Sequence, residues 1–422
     1  MKSPEEKKQR RHQRLWSFCR VIVRPWLKGI YHIQAENAAP RIKDIQGPYL
    51  VLSNHNGNLD PGFLGLSFSK QMYFVASENV YRSGLSSKLL KWAFEPIAKI
   101  KGSSDAMTVM KMVRTLRSGM NVCLFPEGNR SYDGRTGEIN VATGKLVKVS
   151  GANLVTYRLE GGYLTTPRWA STVRKGRLYG HVVNVYTKEQ LKEMKPEEIV
   201  EHVRADLQED AYERQAAAPI AYKGKKLAEG LECSLAVCPE CRSIGSLVTK
   251  GSDISCKTCE LSTSIDEYGY FADGFRFHTV TEWDDFQTEF FKEFTQDAMK
   301  AAANPAVPEA DPEDEEPPVS RPQELFSDDD VMVKIFREDH SEQVLGTGQF
   351  CMFTDKLTLV LSDGTVAMNL PFSSVSDMSI FGRASIVFTA DGNIHYEAKA
   401  ETLINARKYL AVFKNIKAAG NT

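Results

Sequence analysis

The feature that most restricts this chain is a rhythm in its first 230 residues. Short apolar runs at Tyr49–Ser53, Met72–Ala76, Val122–Phe125 and Asn153–Tyr157 alternate with stretches of helical spacing at Leu85–Ala93 and Ala106–Leu116. The runs read as buried strands. Strands alternating with helices predict an α/β layer with a mainly parallel sheet, closed by a helical stretch from Pro196 to Ala218. Ligands of such sheets bind beyond the carboxyl ends of the strands. Two of the runs are followed there by reactive side chains.

After the first run comes Ser53-Asn54-His55-Asn56-Gly57-Asn58-Leu59-Asp60-Pro61. Asn56-Gly57-Asn58 is turn chemistry, and Asp60 before Pro61 has the form of an N-cap with proline at the first helical position. On a regular helix, residues five apart point away from each other, so His55 and Asp60 must meet across the turn. The carboxylate then fixes the imidazole tautomer and leaves the other ring nitrogen as a base. Read alone, the segment is equally a strand end and a helix cap. After the third run comes Phe125-Pro126-Glu127-Gly128-Asn129-Arg130-Ser131. Arg130 can hold a phosphate through two hydrogen bonds, and Glu127 can bond a hydroxyl or orient the arginine. Alone, this loop is equally a surface turn with a solvated ion pair. No Gly-x-Ser-x-Gly elbow or Gly-x4-Gly-Lys-Ser/Thr loop occurs.

Four of the cysteines, Cys238, Cys241, Cys256 and Cys259, form two Cys-x-x-Cys pairs separated by 14 residues. That spacing suits a tetrahedral Zn²⁺ held by two knuckles, a zinc ribbon. Two disulfides are the alternative, but no apolar core or cleavage site follows the basic start, so secretion is not expected. Four thiolates leave no open position, which makes this zinc structural.

At 422 residues the chain has room for two to four domains. Its 53 Lys+Arg nearly cancel its 54 Asp+Glu, so only the distribution of charge is informative. Residues 1–30 are basic and amphipathic. Leu15, Phe18, Cys19, Ile22, Val23, Trp26 and Leu27 share one helical face with Trp16 at its border, and Arg10, Arg20, Arg24 and Lys28 fall on the other. Such a helix lies at a membrane interface, with tryptophans at headgroup level and bases toward anionic phospholipid; packing on the core is the alternative. No run of about 18 apolar residues exists, so no spanning helix is expected. The expected divisions are the interface helix 1–30, the α/β domain 31–225, the zinc ribbon with a following helix 230–298, a disordered acidic and Pro-rich linker 299–329, and an all-β domain 330–419. Short strands from Val331 to Ala398 and a helix at Glu401–Lys417 suggest a pleckstrin-homology-like (PH-like) barrel with one terminal helix.

The two loops resemble the paired motifs of the glycerophospholipid acyltransferases. His55 to Asp60 is similar to their His-x4-Asp motif, and Phe125 to Ser131 to their Phe-Pro-Glu-Gly-x-Arg-Ser motif, with Asn129 at the variable place. The resemblance covers about residues 15–215. It implies a glycerophospholipid-acyltransferase-type α/β domain of the lysophospholipid (1-acylglycerol-3-phosphate) type. It also implies His55 as general base, Asp60 as its orienter, and Glu127, Gly128, Asn129 and Arg130 as the acceptor-binding loop. The acyl donor would be acyl-CoA or an acyl thioester of acyl carrier protein. The acceptor would be a lysophosphatidic-acid-like lysophospholipid, with no nucleic acid partner. The enzyme would sit peripherally on the cytoplasmic face of a bacterial-type membrane. Two places depart from the family. An intermediate motif usually carries a phosphate-gripping arginine, where this chain offers only Lys99 or Lys101. A fourth motif is represented by Leu154-Val155-Thr156-Tyr157, followed by Gly161-Gly162-Tyr163 and Pro167-Arg168-Trp169. These shape a substrate pocket or form an Arg–Trp packing contact. The lysines leave open another polar lyso-lipid as acceptor, and a membrane-tethered adaptor is the rival of another class.

Overall fold

The structure is a computed structural model that describes residues 4–31, 33–35, 38–57, 59–77, 94–99, 105–303, 322–337, 341–392, 394–401 and 404–420. The helix expected at Leu85–Ala93, Lys101 and most of the expected linker lie outside them. The chain divides into two compact units, one of Met1–Leu227, Ile265–Ala272 and Thr279–Thr281, the other of Ala228–Ser264, Asp273–His278 and Glu282–Thr422.

The first unit is built on seven strands: β1 (Ile33–Ala35), β2 (Tyr49–Ser53), β3 (Met72–Ser77), β4 (Ile97–Lys99), β5 (Asn121–Leu124), β6 (Asn153–Glu160) and β7 (Leu178–Tyr186). Their order is β1-β7-β6-β2-β5-β3-β4. The run β6-β2-β5-β3-β4 is parallel throughout, and only the β6–β7 pair is antiparallel. Alternation along β2 explains the two layers. Tyr49 and Val51 enter one core with Phe63, Leu64, Cys123 and Val155. Leu50 and Leu52 enter another with Met112, Leu116, Val122, Leu146 and Val203. A parallel sheet buried on both faces needs such apolar strands. Helix Asp60–Ser67 supplies the first layer; helices Asp105–Arg117, Ala142–Ser150 and Pro196–Leu207 supply the second.

The expected helix at Pro196–Ala218 is two. It breaks after Leu207 and restarts at Ala211, where Asp210 accepts from the N–H groups of Tyr212 and Glu213 as an N-cap. Helix Pro4–Tyr31 runs through Pro25. Trp16 does not reach a headgroup level. It is 4% exposed, within the first core, and its Nε1 donates to the Phe68 carbonyl at 3.0 Å. His12 is buried beside it, and Arg20 donates to the Leu66 carbonyl. This face therefore packs on the domain, while Phe18, Val21 and Ile22 point outward at 62%, 74% and 53% exposure. Among the described residues, no helix is long and apolar enough to cross a membrane.

In the second unit, β8 (Leu247–Lys250), β9 (Asp253–Cys256) and β10 (Ser262–Ser264) form a small antiparallel sheet. Trp283 and Gln287, on the helix that ends at Ala303, tie down the preceding loop. Trp283 Nε1 donates to the Val237 carbonyl, and Gln287 bonds the Ser234 carbonyl and the Ala236 N–H. Seven further strands follow: β11 (Glu324–Phe336), β12 (Glu342–Phe353), β13 (Lys356–Leu361), β14 (Val366–Pro371), β15 (Val375–Phe381), β16 (Ser385–Ala390) and β17 (Ile394–Ala400). They pair antiparallel in the order β14-β13-β12-β11-β17-β16-β15. Among the described residues the ladder has two ends and no closed barrel is found; one helix, Ala406–Gly420, follows the sheet. Strand β11 begins inside the expected linker. The acids Asp328–Asp330 sit at a register shift, and Asp328 accepts from Tyr409 and pairs with buried Lys408 at 2.8 Å. An acidic run with a buried lysine to meet it behaves as strand, not as solvated tail.

Candidate active site

Strands β2 and β5 are neighbours in parallel register, Leu52 opposite Leu124, so the loops that follow them emerge side by side. His55 and Asp60 meet across the first loop. Nδ1 of His55 lies 2.9 Å from Asp60 Oδ2, and the same oxygen accepts from the N–H groups of Asn56 at 2.6 Å and Gly57 at 2.8 Å. Asp60 is fully buried. A carboxylate oxygen that gathers two backbone donors makes the histidine Nδ1 a third donor, which leaves Nε2 with its lone pair. Asp60 is not the N-cap expected. Leu59 holds that position, and Asp60 is the first helical residue, turned back to organise the loop. The imidazole lies on the Phe125 ring at 4.3 Å and keeps 21% of its side chain exposed.

The second loop clamps the first. Glu127 Oε1 accepts from the His55 N–H at 2.6 Å, its Oε2 accepts from the Gly137 N–H at 2.6 Å, and the Ser131 N–H donates to the His55 carbonyl. Burial pushes the Glu127 carboxyl up to about 8, against the pull of those two donors. Gly128 turns the loop at φ +70°, a region that glycine enters at little cost. Burial, and then the neighbouring charge of Arg168, lower Arg130 to about 10, while the charge of Asp60 acts the other way.

Two residues read from sequence as strand end and turn prove to be anchors. Asn54 exchanges hydrogen bonds with both the N–H and the carbonyl of Leu159 at the end of β6, and Asn56 donates to the same carbonyl. Both are fully buried. The loop after β6 also presses on the site. A Cβ on Gly57 would stand 2.2 Å from Thr166 Oγ1, so only glycine fits there. Two residues on, Arg168 lies 4.5 Å over the Tyr132 ring; the arginine that covers Trp169 is Arg174 instead. Lys99 ends the edge strand β4, two strands from β5 and three from β2.

The second unit holds a separate cluster. The sulfurs of Cys238, Cys241, Cys256 and Cys259 all lie within 4.8 Å of one another, with 3.6 Å between Cys238 and Cys259 and 3.8 Å between Cys241 and Cys256. A tetrahedron with Zn–S bonds of about 2.3 Å has edges of about 3.8 Å. The Thr258 N–H points at the Cys256 sulfur at 3.3 Å, as suits a thiolate. The residues fit a metal ion.

Residues 30–159, which contain both loops, match the family model described as Acyltransferase. A curated relative, the chloroplastic 1-acyl-sn-glycerol-3-phosphate acyltransferase LPAT1 of Arabidopsis thaliana, is 27% identical over 119 residues. That match spans 27% of this chain and 32% of the relative, about a third of its length. Among solved structures, the 1-acyl-sn-glycerophosphate (LPA) acyltransferase PlsC of Thermotoga maritima is similar at a TM-score of 0.39 and 16% identity, over 49% of this chain and 80% of that one. A chain of the 8S snRNP assembly intermediate is similar at a TM-score of 0.19 and 15% identity, over 22% and 82%. Scores of that size define no shared fold.

Proposed function

We propose that the first unit transfers a fatty acyl group from a thioester to the free hydroxyl of a lysophosphatidic-acid-like acceptor. The observation that carries this is the His55–Asp60 pair, with Nδ1 held and Nε2 available. Ser131, the hydroxyl of the neighbouring loop, is 4% exposed and its Oγ accepts from the Gly134 N–H. A serine so placed does not attack, which leaves the acceptor hydroxyl as nucleophile. Nε2 takes the hydroxyl proton as the oxygen adds to the thioester carbonyl. The tetrahedral intermediate collapses, the C–S bond breaks, and the imidazolium returns the proton to the departing thiolate. Buried Asp60 stabilises the imidazolium in between. The Acyltransferase match over residues 30–159 and the acceptor in the plant relative's name support the same reading.

The acceptor carries an acyl chain, so the enzyme works at a lipid surface. Exposed Phe18, Val21 and Ile22 would enter the interface, beside exposed Arg10 and Arg14, on the cytoplasmic face of the membrane. Acyl-CoA or acyl carrier protein would present the thioester. The four-cysteine cluster would hold a structural Zn²⁺, and the terminal sheet and helix would form a PH-like domain. Mass-spectrometric product identification tests the reading, using the full chain, mixed lyso-lipids and both donors. A diacylglycerol phosphate is expected. The absence of any diacyl product from every pairing would overturn the reading.

A further inference from the structure

Lys99 ends the edge strand β4, two strands from β5, whose loop carries Arg130. The loop after β6 brings a different cation to the site. Arg168 is 4% exposed, and its Nη1 lies 3.5 Å from the Arg130 carbonyl oxygen. Its guanidinium carbon lies 4.5 Å from the centre of the Tyr132 ring, two residues beyond Arg130. Thr166, on the same short loop, fits against Gly57 inside the His55–Asp60 turn. The charge of Arg168, bonded to the Arg130 carbonyl, adds to burial in lowering the proton affinity of Arg130, while the charge of Asp60 acts the other way. Two cations kept together away from water are stabilised by an anion that bonds to both.

We propose that Arg168 is the second guanidinium of the acceptor-phosphate site, acting with Arg130 to select acceptors that bear a phosphate next to the reacting hydroxyl. The assignment rests on the acyl-transfer reading above. A phosphate can come from either substrate. In a monoacylglycerol phosphate it sits on the carbon adjacent to the free hydroxyl, and so close to His55. In the donors it sits at the far end of the pantetheine arm from the thioester. The place of Arg168 beside the His55 loop fits the acceptor.

Steady-state kinetics of the full-length chain and its Arg168→Gln and Arg168→Lys variants test this. The assays use monoacylglycerol 3-phosphate and unphosphorylated monoacylglycerol as acceptors, with inorganic phosphate as inhibitor. In Arg168→Gln, KM for the phosphorylated acceptor and Ki for inorganic phosphate should rise by about tenfold or more, with kcat little changed. Arg168→Lys should recover part of that loss, because it restores the charge without the fork. KM for the unphosphorylated acceptor and for the thioester should not move. Equal losses toward both acceptors, or a rise in donor KM, would overturn the assignment. Should Arg168→Gln fail to fold, a folded Arg168→Lys with native KM and Ki would overturn it as well. An active native chain with an indifferent variant removes only Arg168. A native chain inactive toward every acceptor removes the acyl-transfer reading and Arg168 with it.

Discussion

At the scale of single residues, the site depends on a few acceptors that each bind several donors. Asp60 Oδ2 gathers His55, Asn56 and Gly57, and Glu127 ties the His55 N–H to that of Gly137. Glu127 thus holds the loop in shape. Burial raises its carboxyl from the ordinary 4.5 to about 8, so between those values the folded chain binds more protons than the unfolded one. Its contribution to stability must fall as pH rises from about 5 to 8 and level off above. Glu127→Gln removes that slope. Urea unfolding at stepped pH should show the native chain losing stability relative to the variant across the window; parallel curves would contradict the assignment. His55, Asp60, Glu127 and Arg130 were all legible as a motif. The anchoring by Asn54 was not, because its partner Leu159 lies 105 residues away and comes near only when β6 pairs with β2.

At the scale of elements, apolar alternation located the central strands well, since β2 and its neighbours are buried on both faces and have little freedom to read otherwise. Elements whose polar residues find buried partners were misread. Strand β11, part of which reads as linker in the sequence, carries Asp328 to Lys408. The terminal helix starts at Ala406, later than expected, because Asn405 accepts the Lys408 N–H as its cap. Helix Pro4–Tyr31 docks through Trp16 and leaves Phe18, Val21 and Ile22 exposed. The double variant Phe18→Glu, Ile22→Glu should therefore keep the native thermal midpoint. Its co-sedimentation with anionic phospholipid vesicles should weaken by about tenfold or more, given the apolar area lost. Undiminished binding would return the helix to a purely packing role.

At the scale of the whole molecule, the second unit holds the cysteine cluster and a set of side-chain bonds between its helices and loops. Asn405 donates to the Glu232 carbonyl, and Arg407 forms a two-pronged ion pair with Asp284, so the start of the terminal helix is bonded both to the segment before the cysteine cluster and to the long helix. Metal analysis should find one Zn²⁺ per chain. Cys256→Ser should lose it and melt roughly 10 °C lower; a metal-free native chain of the same stability would contradict the structural role.

The central claim is that His55, held by Asp60, moves the proton of an acceptor hydroxyl during acyl transfer. The most direct test compares the native chain with His55→Ala in one mass-spectrometric assay, with monoacylglycerol 3-phosphate and an isotopically labelled acyl thioester. Labelled diacylglycerol phosphate from the native chain, and none above background from a folded His55→Ala, is the predicted result. Equal product from both would contradict it.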